Sequence, residues 1–111
     1  MQEIRITKPV VLVGMMGAGK SSLGSRLAER LGLVFVDADA EIETAAGMSI
    51  AEIFEAHGES AFRDGERRVI ARLLNNGPHI LALGGGVVSD ATTRQNVLEK
   101  ALLILPDVPV K

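Results

Sequence analysis

Near the start of the chain, Gly14-Met15-Met16-Gly17-Ala18-Gly19-Lys20-Ser21 combines small residues, a cation and a hydroxyl. Gly14, Gly17 and Gly19 let the backbone turn and bring N–H groups close to phosphate oxygens with no Cβ in the way. The positive end of a helix starting near Lys20 favours the same anion. Lys20 is placed to reach the β- and γ-phosphates of a nucleotide, and the Ser21 hydroxyl to ligate Mg2+. Met15 and Met16 fill the variable positions of the loop, and Ala18 and Ser22 complete the stretch that wraps the phosphates. A chance glycine-rich turn would lack a context. Here the apolar run Pro9-Val10-Val11-Leu12-Val13 precedes the loop and an apolar-striped helix follows it.

Two further groups carry charge in a chemically useful pattern. Asp37 and Asp39 stand at i, i+2 at the tip of a second apolar run. One carboxylate could support a Mg2+ shell through water while the other accepts a proton from a hydroxyl nucleophile. Alternatively, one of them caps a helix starting nearby, since Asp is a preferred N-cap; spacing leaves both readings open. Arg63 and Glu66, at i, i+3, share one helical face. An arginine there can fork onto a substrate carboxylate while Glu66 fixes its orientation. On spacing alone, an ordinary surface pair worth roughly a few tenths of a kcal/mol is the simpler reading. Arg67, Arg68 and Arg72 fall on or near the exposed face and read as solvated.

Gly84-Gly85-Gly86 directly follows a third apolar run. Such a run either turns the chain or lets a ligand approach backbone N–H groups, and three glycines favour ligand approach. His57 and His79 have no metal-ligand partner at a useful spacing and carry no assigned chemistry.

The elements that must hold these groups are legible as alternating strands and helices. Residues 9–13 read as a strand covered on both faces. A helix from Lys20 places Leu23, Leu27 and Leu31 on one face and stops at Gly32. Leu33 to Val36 form a second strand that ends at Asp37. Ser49-Ile50-Ala51-Glu52 is a capping-box signature for a helix through Ile53, Phe54 and His57. A longer helix through Phe62, Glu66, Val69, Ile70 and Leu73 breaks at Asn75-Asn76-Gly77-Pro78. A strand from His79 to Leu83, a helix over about 90–100 and a strand from Ala101 to Leu105 follow. This order predicts a three-layer α/β domain, an open parallel sheet with helices on both faces. Ligands in such sheets sit beyond the carboxyl ends of the strands, which is where the loop, the aspartates and the glycines fall.

Composition narrows the function. The chain has 111 residues, 47% apolar and 23% charged, with a net charge of −2. That suits a single domain over residues 1–111 with an ordinary core. No basic block points to nucleic acid, and the absence of cysteine removes thiolate metal sites and disulfides. With no Tyr or Trp and three Phe, there is no base-stacking platform. No apolar run has the length of a membrane span, and the first residues lack a secretory signal pattern. The expectation is a soluble, cytoplasmic protein that binds neither nucleic acid nor membrane.

Together these residues resemble the shikimate kinase family. The resemblance rests on the loop GMMGAGKSS, on FVDAD followed by EIE, and on Gly47, Ile50, Ile53-Phe54, Gly58-Glu59, Phe62-Arg63 and Glu66. LGGG at residues 83–86 completes it. The order and spacing hold from residue 10 to about 105, and the Asp-x-Asp, Phe-Arg-x-x-Glu and triple-glycine groups are far more specific than the loop. The resemblance implies a nucleoside-monophosphate-kinase-like fold and transfer of the ATP γ-phosphoryl group to the 3-hydroxyl of shikimate. It assigns Lys20 and Ser21 to the phosphates and Mg2+, and Asp37 to the metal shell. Asp39 would bind the shikimate hydroxyls and assist the attacking one. Arg63 would take the shikimate carboxylate with support from Glu66, and Gly84, Gly85 and Gly86 would line the pocket.

The sequence departs from the family pattern after the fourth strand. Family members continue into an arginine-bearing lid, a helix with a second carboxylate-binding arginine and a fifth strand. Here Leu105 is followed by Pro106-Asp107-Val108-Pro109-Val110-Lys111, and the last arginine is Arg94. The resemblance therefore implies a domain incomplete at its C-terminus. Taken alone, such a chain is expected to be a monomer able to self-associate through the exposed sheet edge, and a weak or inactive catalyst. Two alternatives stand beside it: a noncatalytic nucleotide-binding remnant, and a related sugar-acid kinase such as gluconate kinase.

Overall fold

The computed structural model describes the backbone of residues 6–13, 17–84 and 90–104, with the side chains of these residues except 17–22 and 103–104. The elements run β1 (Val10–Val13), α1 (Gly17–Leu31), β2 (Phe35–Asp37), α2 (Ala38–Ala46), α3 (Ile50–Leu74), β3 (Ile80–Leu83), α4 (Ala91–Lys100) and β4 (Leu102–Ile104). Every residue of β1 and of β3 is buried, so these two strands show continuous apolar character rather than alternation. They form the centre of a four-stranded sheet in the order β2-β3-β1-β4, with every pairing parallel.

Helices cover both faces. Val11, Val13, Leu81 and Leu83 point to one side, where they meet Ile70, Leu73 and Leu74 of α3 and Val97 of α4. Val10, Leu12 and Ile80 point to the other and pack with Ala28, Leu23, Leu27 and Leu31 of α1. The three-layer architecture expected from the element order is the one observed.

Several boundaries move for physical reasons. α1 begins at Gly17 rather than near Lys20, so the loop's later glycines already belong to the helix N-terminus. Gly32 stops α1 as expected, at φ 68°, in the left-handed region that suits glycine. A short separate helix, α2, occupies residues 38–46. The two helices read over 50–57 and 62–73 are one element, α3, kinked at Gly58, which has φ 87° and ψ 169°. That backbone conformation is open essentially to glycine alone. The capping box at Ser49 is present: Glu52 N–H donates to Ser49 Oγ at 3.1 Å, and Ser49 N–H to Glu52 Oε1 at 2.8 Å.

Candidate functional site

Strand register fixes what meets at the carboxyl edge of the sheet. Asp37 pairs with Ala82, Ala82 with Leu12, and Leu12 with Ile104, so these four residues form one row across the strands. Asp37 closes β2, Gly84 lies one residue beyond β3, and the glycine-rich loop follows Val13. With β3 between them, β2 and β1 lie about 10 Å apart. Among the described residues, Val13, Asp37 and Gly84 therefore stand at one edge, at the ends of three separate strands. Gly14, Met15, Met16, Gly85 and Gly86 lie outside the described residues, as do the side chains of Ala18, Lys20, Ser21 and Ser22. The backbone of Gly17, Ala18, Gly19, Lys20, Ser21 and Ser22 opens α1, and that first turn contains no acidic residue. A helix N-terminus free of carboxylates, at the end of a buried strand, fits an anionic phosphate.

For Asp37 the capping role is visible. Its backbone is extended (φ −100°, ψ 119°), and its Oδ1 accepts the N–H of Asp39 at 2.9 Å, closing the start of α2. Ala38 between them is buried, whereas both aspartates are half-buried. The cap occupies Oδ1 and puts Asp37 at the N-cap and Asp39 in the first turn of α2, at the carboxyl edge.

Arg63 and Glu66 lie on α3. Because β3 enters the sheet from its amino edge just after α3 ends, the early turns of α3 lie toward the carboxyl edge. Arg63 Nη1 donates to Glu66 Oε1 at 2.9 Å; the Glu66 side chain is 7% exposed and that of Arg63 is 37% exposed. Glu59 Oε2 lies 3.7 Å from Arg63 Nε, and the guanidinium carbon sits 5.3 Å from the centre of the Phe62 ring. Phe62 in turn packs on Phe54, with ring centroids 4.8 Å apart. The hydrogen bond that Arg63 donates to Glu66 raises the Arg63 pKa above its ordinary value; burial opposes this, and the charges of Glu66 and Glu59 add to it. A buried carboxylate, an aromatic ring and a second acid thus fix a permanently charged, partly open guanidinium. This is more than the surface pair that spacing alone suggested.

Gly84 is half-buried, and a Cβ built on it would meet nothing within 4 Å. Protein packing does not demand glycine there. An apolar groove of about 640 Å³ runs between α2 and α3, lined by residues including Ile42, Met48, Ile53, Phe62 and Val69. It presents none of Asp37, Asp39, Arg63 or Glu66 and is not where the charged groups converge.

Sequence reading missed three contributors. Arg67, read as solvated, is half-buried and donates from Nη1 to Asp90 Oδ1 at 3.0 Å. Asp90 also caps α4, accepting the Thr93 N–H at 2.9 Å. The Phe54–Phe62 pair behind Arg63 needs the Gly58 kink between its members to be seen. No signal in the sequence links positions 67 and 90; the aromatic pair could have been found from its flanking of a glycine in an otherwise helical pattern.

A family model described as shikimate kinase matches residues 16–111. The shikimate kinase of Rhodopseudomonas palustris is 63% identical over 86% of this chain and 47% of that protein. The chain thus spans about half the length of the curated relatives it matches. Among solved structures, the shikimate kinase from Acinetobacter baumannii in complex with shikimate superposes with TM-score 0.86 at 39% identity, covering 92% of this chain and 57% of that one. A gluconokinase from Sinorhizobium meliloti shares the fold alone, at TM-score 0.59 and 18% identity over 92% of this chain and 58% of that one.

Proposed function

The chain belongs to the shikimate kinase family, and on that premise we propose that it carries the nucleotide-binding and shikimate-binding groups for ATP-dependent phosphorylation of the shikimate 3-hydroxyl. The observation that carries the proposal is the Arg63–Glu66 pair. A guanidinium oriented by a buried acid, yet itself more than a third exposed, is built to fork onto a carboxylate. Shikimate has one, and it is the compound named in the complex of the Acinetobacter relative.

Each residue then has a task. The first turn of α1, with Lys20, holds the phosphates. ATP supplies the transferable γ-phosphoryl group. Among the described residues no group of three or more His, Cys, Asp or Glu stands together. Mg2+ would share its shell among Ser21, Asp37 through water, and phosphate oxygens, in keeping with its usual preference for retained water. Asp39 binds the shikimate hydroxyls and accepts the proton of the attacking one. Gly84, with open space where a side chain would project, leaves room for the ring, as Gly85 and Gly86 would beside it. Catalysis on this plan is positioning plus charge neutralisation, which is what phosphoryl transfer chiefly needs. We assign the chain a monomeric state and a place in aromatic amino acid biosynthesis. Among the described residues no helix is long and apolar enough to cross a membrane.

Calorimetric titration tests the proposal. Shikimate should bind the wild type, and Arg63→Ala should abolish that binding while leaving Mg-ATP binding in place. Lys20→Ala should do the reverse. Heat from gluconate but not from shikimate would favour the sugar-acid kinase alternative and overturn the proposal.

A further inference from the structure

A guanidinium has two planar edges that can fork onto a carboxylate, Nη1 with Nη2 and Nε with Nη2. In Arg63 the Nη1 group donates to Glu66 Oε1 at 2.9 Å, and the Phe62 ring lies 5.3 Å from the guanidinium carbon. That leaves the edge formed by Nε and Nη2 for an incoming fork. Glu59 stands at this same edge, with its Oε2 3.7 Å from Nε. One cation between two acids gives the group a net charge of −1. A third carboxylate would deepen that charge, so an anionic substrate is accepted more readily when one of the first two gives way.

The two acids differ in how readily they can leave. Glu66 is buried and hydrogen-bonded, and its withdrawal would strand an unpaired charge in the interior. The Glu59 side chain is 68% exposed, its contact is longer than a hydrogen bond, and an exposed i, i+4 pair contributes little. The kink at Gly58, immediately before it, sets Glu59 at the head of the second segment of α3, one turn ahead of Arg63. We propose that Glu59 is an internal stand-in for the substrate carboxylate: it holds the Nε–Nη2 edge of Arg63 until the shikimate carboxylate takes that edge and Glu59 turns into solvent. The inference deepens the shikimate reading above and rests on it. Its consequence is a brake on affinity, because shikimate competes with a tethered acid and binds beside its charge.

The test is the shikimate dissociation constant of this chain as wild type, Glu59→Gln, Glu59→Ala and Arg63→Ala, at low and high salt, with Mg-ATP titrated against each. Both Glu59 changes should tighten shikimate binding by about threefold, the scale of one like charge removed from about 6 Å away in water. The gain should fade as ionic strength rises toward about 1 M, where exposed charges are screened, and Mg-ATP affinity should not move. A residue that merely supports Arg63 acts in the opposite direction. Weaker shikimate binding in the Glu59 variants, or unchanged binding while Arg63→Ala still abolishes it, would therefore overturn this inference alone. A gain undiminished at high salt would also overturn it, since charge would not be its source. So would shikimate and Mg-ATP affinities rising together, as a general tightening of the domain. Failure of the wild type to bind shikimate would overturn it together with the reading it rests on.

Discussion

Arg63 and Glu66 are joined by a 2.9 Å hydrogen bond in which the acid is buried and the base is not. The asymmetry separates stability from function. Arg63→Ala would leave the Glu66 carboxylate buried without its cation, an unmet partner that costs about 1–3 kcal/mol. Glu66→Ala leaves a guanidinium that still reaches water and Glu59, and should cost less while loosening the aim of Arg63. Urea midpoints should therefore fall further for Arg63→Ala than for Glu66→Ala, and Arg63→Met/Glu66→Leu should recover part of the loss. Equal losses for the two single variants would contradict this division.

The kink in α3 makes two glycines on one helix behave oppositely. Gly58 holds φ 87° and ψ 169° between Phe54 and Phe62. Gly58→Ala should destabilise by about 1–3 kcal/mol, the usual cost of a strained backbone region. Gly65 lies in the helix interior with no positive φ and nothing within 4 Å of an added Cβ. Gly65→Ala should stabilise by about 0.5–1 kcal/mol. Thermal unfolding of the two variants checks both signs.

Gly24 is required by packing rather than by conformation. A Cβ there would overlap the ring of Phe35, which packs beneath α1. Gly24→Ala should cost about 1–3 kcal/mol through overpacking, and Phe35→Leu in the same chain should return part of it. If Gly24→Ala alone is neutral in denaturant unfolding, the close approach of α1 to β2 is wrong.

Asp90 links the interface between α3 and α4 to acidity. The Thr93 N–H and hydroxyl, followed by Arg67, hold its carboxyl below the ordinary value of 3.8. A folded-state pKa below the unfolded one contributes stability that is complete above the unfolded value and is lost as pH falls through the folded one. Asp90→Asn should leave acid unfolding shallower than in the wild type below about pH 4, with little difference in pH dependence at neutrality. A parallel acid transition in the two proteins would show that Asp90 is not coupled to folding.

Much of this was readable in the chain because it is local. Continuous apolar character marked β1 and β3 as central strands, and the Ser49–Glu52 box and Gly32 marked helix ends through bonds to near neighbours. The Arg63–Glu66 pair was legible as i, i+3 spacing, but its burial was not, because that depends on which face α3 turns to the sheet. Asp37 offered capping or chemistry; the extended backbone and the bond to Asp39 show the cap, while the strand-tip position keeps the chemistry open to it. Arg67 was misread because its partner lies 23 positions away, beyond any periodicity. Gly24 and Phe35 meet only once α1 is laid on β2.

The proposed transfer of a phosphoryl group to shikimate is tested most directly by 31P NMR of Mg-ATP incubated with this chain and shikimate. If the proposal holds, a new phosphomonoester resonance grows as the γ-phosphate signal declines, requires shikimate, and is missing with Lys20→Ala and with Arg63→Ala. A spectrum in which shikimate adds no phosphomonoester over prolonged incubation, or in which the γ-phosphate is lost only to inorganic phosphate, would contradict it.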